Sequence, residues 1–372
     1  MARRDSSLPI ALDAMGGDHA PAETVRGAAL AARDLGVSVA LVGRRADVER
    51  ELSRLPEDLA AHRSRLSVIE ATEVIAMDEH PAQAVRARKD ASIVVACRAV
   101  ADGRARAAVS AGNSGAVLAS ALFTAGRVRG VSRPAIGGLI PTATERMSFV
   151  LDIGANTDCR PEWLAQFAVM GSVYAVEMMS IREPRVALLS NGEERGKGSE
   201  LVQAATPLLE AAPVNFRGNV EGKDLFRGTV DVIVCDGFAG NVALKVAEGT
   251  AEFLLTSIST IARQSLQGKL GGLLLKPRLR PIRDKVDYRK TGGALLLGID
   301  GEVVVAHGRS DAEAVMNAIR VADSAARRDV SGVIASRLAA MKDGATSPEG
   351  DTAAGTGDRA AQTAPTTEQA PA

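Results

Sequence analysis

The chain has 372 residues, of which 46 % are hydrophobic and only 3 % aromatic, and its 45 basic side chains balance 45 acidic ones. That balance excludes a generic nucleic-acid binder, and so few rings exclude a base-stacking platform. No apolar run approaches the ~18 residues that span a bilayer, and no signal-peptide apolar region follows Met1. Three widely spaced cysteines, Cys97, Cys159 and Cys235, fit a reducing compartment, so a cytoplasmic protein is expected.

In chain order, short apolar strands are expected at 9–14, 37–43, 66–70, 105–110, 135–140, 148–153, 185–190, 214–220, 231–235 and 302–306. Between them, helical periodicity covers 22–34, 82–101, 114–125, 161–179, 199–210, 240–265 and 312–327. This alternation predicts an α/β fold on a mainly parallel sheet. The folded body is expected over 1–342. Residues 343–372 carry no aliphatic side chain larger than alanine and five acids against Arg359, the composition of a disordered tail.

Six strand ends open into small or polar loops: Asp13–Asp18, Ser110–Gly115, Asp152–Thr157, Ser190–Glu193, Asp236–Asn241 and His307–Gly308. In open α/β sheets ligands gather beyond the carboxyl ends of strands, so the six ends predict one large polar cleft. No Gly-x-Gly-x-x-Gly follows the first strand, which disfavours a dinucleotide. Gly192–Gly198 falls one residue short of a phosphate-binding P-loop. No zinc-ligand spacing and no Gly-x-Ser-x-Gly elbow occurs, so neither a metal nor a serine nucleophile is expected.

The candidates are therefore anion binders. Asn113, Ser114 and Gly115 join a strand to a helix start, where backbone N–H groups and the helix dipole favour a phosphate. Lys89 belongs to a basic cluster with Arg86 and Arg88. Lys197 and Lys245 flank the strand-end loops in a chain with only nine lysines. His307 ends a strand and is the best general acid or base of the four histidines. Asn241 is the remaining catalytic candidate. Asp13, Gly16, Gly17, Asp152, Asn156 and Asp236 are assigned to substrate binding, with the aspartates orienting the cations.

The segment 266–290 stands apart, with eight basic residues against Asp284 and Asp287. Leu270, Leu273, Leu274 and Leu275 beside Lys276, Arg278 and Arg280 suit an anionic lipid surface or an acidic protein partner. A protruding tip is expected at about 262–290.

Several of these strings resemble the phosphate acyltransferase (PlsX) family of bacterial phospholipid synthesis. They are Ile10–Asp18, Ser110–Gly115, Leu151–Asn156, Leu189–Gly198, Phe216–Gly222, Val234–Asn241 and Ala306–Gly308, in family order from about residue 8 to 335. The resemblance implies a three-layer α/β/α sandwich similar to phosphotransacetylase and isocitrate-type dehydrogenases. It implies transfer of a long-chain fatty acyl group from acyl carrier protein to inorganic phosphate, without a cofactor. It also implies a homodimer in peripheral contact with the membrane, and a downstream glycerol-3-phosphate acyltransferase that consumes the acyl phosphate. Two alternatives stay open: a phosphotransacetylase-like enzyme using acyl-coenzyme A, and a non-catalytic membrane-surface scaffold.

Overall fold

The computed structural model describes residues 5, 7–144, 146–286 and 288–345, with 279–286, 288 and 342–345 given by their backbone alone. The strands are β1 (Ile10–Asp13), β2 (Val39–Gly43), β3 (Leu66–Glu70), β4 (Ala107–Ser110), β5 (Ala135–Pro141), β6 (Met147–Leu151), β7 (Arg185–Leu189), β8 (Asn215–Val220), β9 (Val232–Val234), β10 (Ala294–Leu297) and β11 (Glu302–Val305). They form one sheet in the order β3-β2-β1-β4-β11-β10-β5-β6-β9-β7-β8. Its pairings are parallel except at β11–β10, β10–β5 and β5–β6.

Those antiparallel pairings change the geometry expected from the sequence. β1, β2, β3, β4, β11 and β5 run one way, while β10, β6, β9, β7 and β8 run the other. The six polar strand ends therefore leave the sheet in two directions, yet residues from five of them, all but Ser190–Glu193, line one cavity. Those after β1, β4 and β11 lie at one edge of the sheet, and those after β6, β7 and β9 at the opposite edge. β10 was not expected. Its four residues follow Gly292 and Gly293 and precede Gly298, all at positive φ, so the segment reads as a turn.

The helices are α1 (Ala22–Asp34), α2 (Arg45–Ser53), α3 (Glu57–Ala60), α4 (Pro81–Ala87), α5 (Ser92–Ala101), α6 (Ser114–Thr124), α7 (Pro161–Glu177), α8 (Glu200–Glu210), α9 (Gly237–Arg263), α10 (Leu266–Val286), α11 (Tyr288–Thr291), α12 (Ala312–Arg328) and α13 (Val330–Ala345). Strand side chains alternate between the two faces. In β6, Phe149 and Leu151 join the core with α1, α7, α8, α12 and α13, while Val150 joins the core under α5 and α6. Burial on both faces explains the near-continuous apolar strands.

Two boundaries differ from expectation for local reasons. The helix expected over 82–101 is broken at 88–91. Arg88 donates to the Val74 carbonyl and to Glu79, and Asp90 accepts the amide and hydroxyl of Thr72. These polar side chains find partners across the chain that a continuous helix would forfeit. At the other end, α13 carries the folded body to Ala345, three residues into the segment expected as tail; residues 346–372 lie outside those described.

α9 and α10 form a long hairpin. Gly272 permits their close approach, since a Cβ there would lie 3.1 Å from that of Ala262. Among the described residues no helix is long and apolar enough to cross a membrane.

Candidate active site

Under α9, β5 floors a cavity of about 1000 Å³, the upper end of the range for small-ligand sites. Its apolar lining comes from Ile136, Gly138, Ile140, Ile153, Phe226 and Leu244, and its polar lining from Asp18, Gly112, Ser114, Lys245, Glu248 and His307.

The first sheet edge is braced by Asp13. Its Oδ2 accepts the Ser110 hydroxyl at 2.7 Å and its Oδ1 the Met15 amide at 3.2 Å. Burial raises the Asp13 pKa, against hydrogen bonds from Ser92, Ser110, Met15 and Gly16. Ser110 Oγ in turn accepts the Gly112 amide at 3.0 Å. A Cβ on Gly16 would lie 2.6 Å from Asp13 Oδ2 and 2.8 Å from the Gly112 amide, so only glycine lets the two loops close on each other. Asp13, Gly16 and Gly17 thus shape the site without lining it. The Asp18 amide donates to the Gly308 carbonyl at 2.8 Å, which ties the first loop to the turn after β11.

Asn113 caps α6, its Oδ1 accepting the Ala116 amide, while its Nδ2 donates to the Met77 and Glu79 carbonyls. Gly115 packs on Pro81. From that loop Gly112 and Ser114 reach the cavity and set the N-terminus of α6 in its wall.

At the opposite edge the expected ligand groups serve the fold. Buried Asp152 accepts the amides of Ile136, Gly154, Ala155 and Asn156 and the Nδ2 of Asn156. Burial raises its pKa against those donors. Asp236 is the N-cap of α9, accepting the Ala239 amide at 2.8 Å. Neither carboxylate meets a lysine or arginine in these contacts, so the expected role in orienting cations fails. Asn156 also donates to the Pro134 carbonyl. Lys197 sits exposed in the loop after β7, with its stem over Gly192, and does not line the cavity. Lys89 is likewise exposed and outside it. Asn241 does line it, but its Nδ2 donates to the Ile153 carbonyl at 3.0 Å and so ties α9 to the turn after β6.

What remains is a compact polar group. Lys245 Nζ lies 2.8 Å from Glu248 Oε2. His307 feels both, and burial first, then Lys245, lower its pKa below the ordinary histidine value. Its Nδ1 accepts the Arg309 amide at 3.2 Å, so the neutral ring carries its proton on Nε2. No cysteine lines the cavity, and burial pushes the Cys159 thiol up to about 12. The sequence reading missed Asp18, Glu248, Phe226 and the floor of β5. A pair of glycines inside a strand, Gly137-Gly138, was the one signal available for the floor.

A helix N-terminus, a lysine and a neutral imidazole above an apolar floor, on a sandwich of this topology, define a group-transfer enzyme of phosphotransacetylase architecture. The fold matches a phosphotransacetylase from Streptococcus pyogenes with TM-score 0.58 at 18 % identity, covering 87 % of this chain and 96 % of that one. Residues 8–333 match the family described as "Fatty acid synthesis protein". The phosphate acyltransferase of Dictyoglomus turgidum is 50 % identical over 337 residues, 90 % of this chain and 99 % of its own. That of Heliobacterium modesticaldum is 52 % identical over 315 residues, 85 % and 93 % of the two chains. The chain belongs to the phosphate acyltransferase family and is an acyltransferase.

Proposed function

We propose that the enzyme moves a long-chain fatty acyl group from the thioester of acyl carrier protein to inorganic phosphate, supplying acyl phosphate for phospholipid synthesis. The observation that carries this reading is the cavity itself: its volume and the apolar floor on β5 exceed what an acetyl group needs, while its polar wall suits a dianion. Phosphate is held by the α6 N-terminus at Ser114 and by Lys245. At neutral pH it is largely a dianion and needs little activation. One of its oxygens attacks the thioester carbonyl, the new C–O bond forms, and the C–S bond breaks. The phosphate proton ends on the departing thiol. His307 donates its Nε2–H to the charge developing on the carbonyl oxygen or the sulfur. Holding both reactants in one cavity supplies much of the rate.

The surroundings fit an acidic carrier and an anionic membrane. Leu270, Leu273, Leu274 and Leu275 stand exposed on α10 beside Lys276 and Arg278; the Arg280 side chain lies outside those described. α9 exposes Phe238, Val242, Val246, Phe253 and Ile261, a face suited to a second copy of the chain.

The test is turnover. Palmitoyl-carrier protein and inorganic phosphate should give palmitoyl phosphate and free carrier thiol, both detectable by mass spectrometry. Turnover of palmitoyl-coenzyme A alone would reassign the donor, and turnover of neither would return the chain to a binding role.

A further inference from the structure

β5 carries two adjacent glycines with different surroundings. Gly137 is explained by packing: a Cβ there would lie within 3 Å of the Phe149 ring. Gly138 points to the other face, and the one side chain within 4 Å of an added Cβ is Ile153, at its flexible Cδ1, 2.7 Å away. Gly138 is absent from the glycines at positive φ, so its backbone conformation does not demand glycine. A glycine inside a strand weakens it, through lost chain entropy and an absent side chain, and often marks a close approach of something to the backbone. At Gly138 the one protein group that makes that approach is the flexible end of the Ile153 side chain, which can swing aside, and no backbone lies within 4 Å. The space above it is the cavity, bounded by Ile136, Ile140, Ile153 and Leu244.

The register gives the bare strand its place. Val305 of β11 pairs with Ala294 of β10, and Leu295 pairs with Gly137, which sets Ala294 beside Gly138. Ala294 lines the same cavity, so two small residues lie side by side on its floor. His307 follows Val305 by two residues, about 7 Å of extended chain. A group held at His307 would therefore send an attached chain across Gly138 and Ala294 toward Ile136 and Ile153.

We infer that Gly138, with Ala294 beside it, determines acyl-chain length, the bare floor being the channel along which a long aliphatic chain runs from the reacting carbonyl. This rests on the acyl-transfer reading given above. Filling the floor should leave room for the first few carbons next to His307 and remove room for the remainder.

The experiment compares kcat/KM for hexadecanoyl- and butyryl-carrier protein in wild type, Gly138→Val and, separately, Ala294→Val. The second substitution alters the same floor from another strand, so the comparison survives if the first variant does not fold. The account expects the hexadecanoyl/butyryl ratio to fall at least tenfold in either folded variant. A ratio within twofold of wild type in a folded variant overturns the assignment while leaving acyl transfer intact. A wild type that makes acyl phosphate from neither donor refutes the acyl-transfer reading itself, and this inference with it.

Discussion

Gly240 of α9 sits so close to the carbonyl oxygen of Asp152 that any Cβ there would overlap it. One turn earlier, a Cβ on Gly237 would lie 2.7 Å from the Asn156 carbonyl oxygen and 2.8 Å from Asp152 Oδ2. The first turn of α9 is thus seated flush on the Asp152 turn, and Asn241, Lys245 and Glu248 take their positions from that seat. Gly240→Ala should push the helix off it. Overpacking of this kind costs about 1–3 kcal/mol. A lower urea midpoint together with at least a tenfold loss of kcat/KM is expected, since the same shift carries Lys245 out of register with His307.

Lys245 is the one lysine lining the cavity among the described residues. A charge-assisted hydrogen bond is worth about 1.5–3 kcal/mol, so Lys245→Ala should raise KM for phosphate roughly 10- to 100-fold. Steady-state rates at varied phosphate and saturating acyl donor read this directly. Full activity at limiting phosphate would remove Lys245 from the site.

The pH profile follows from His307. Burial, then Lys245, depress its pKa, so the ring is neutral at pH 7 and becomes charged on acidification below the ordinary histidine value of 6.5. Protonation puts a hydrogen on Nδ1, which then no longer accepts the Arg309 amide, so the ring loses its placement and the acid limb of kcat at saturating phosphate should lie below pH 6.5. It should vanish in His307→Gln, whose kcat is expected to fall by about 10²–10⁴, the usual worth of a positioned proton donor. The same shift affects stability. The unfolded ring binds its proton more readily than the folded one, so His307 destabilises the fold as pH drops.

Much of this molecule was legible in its sequence, and the gaps have physical causes. Strand–helix alternation shows because both sheet faces are buried, as at Ala11 and Leu12 on opposite faces of β1. Strand direction left no such trace: β10 is four residues between glycines, and it helps turn six loops at one imagined edge into three at each of two. Asp152 and Asp236 look like ligands because carboxylates after strands are common to sites and to turns alike. Only the partners, four backbone amides and a side-chain amide for the first and a helix cap for the second, separate the two uses. Lys197 lies in a string that resembles the family closely, yet the loop after β7 that carries it does not reach the cavity. The cavity floor was hidden because bare backbone is its signature.

The hairpin tip predicts membrane behaviour. Leu273 and Leu274 are each 68 % exposed, and Lys276 and Arg278 follow them. Replacing Leu273, Leu274 and Leu275 with serine should abolish flotation with anionic vesicles while the melting temperature stays within a few degrees. Unchanged binding would assign the tip to a protein partner.

The central claim is direct attack by phosphate, with no acyl group ever resting on the protein. The decisive measurement is a single turnover with enzyme in excess over acyl-carrier protein in phosphate-free buffer, followed by thiol release. The account predicts no release until phosphate is added, then one thiol per donor. A burst of thiol stoichiometric with the enzyme before phosphate is added, accompanied by an acylated protein mass, would contradict it.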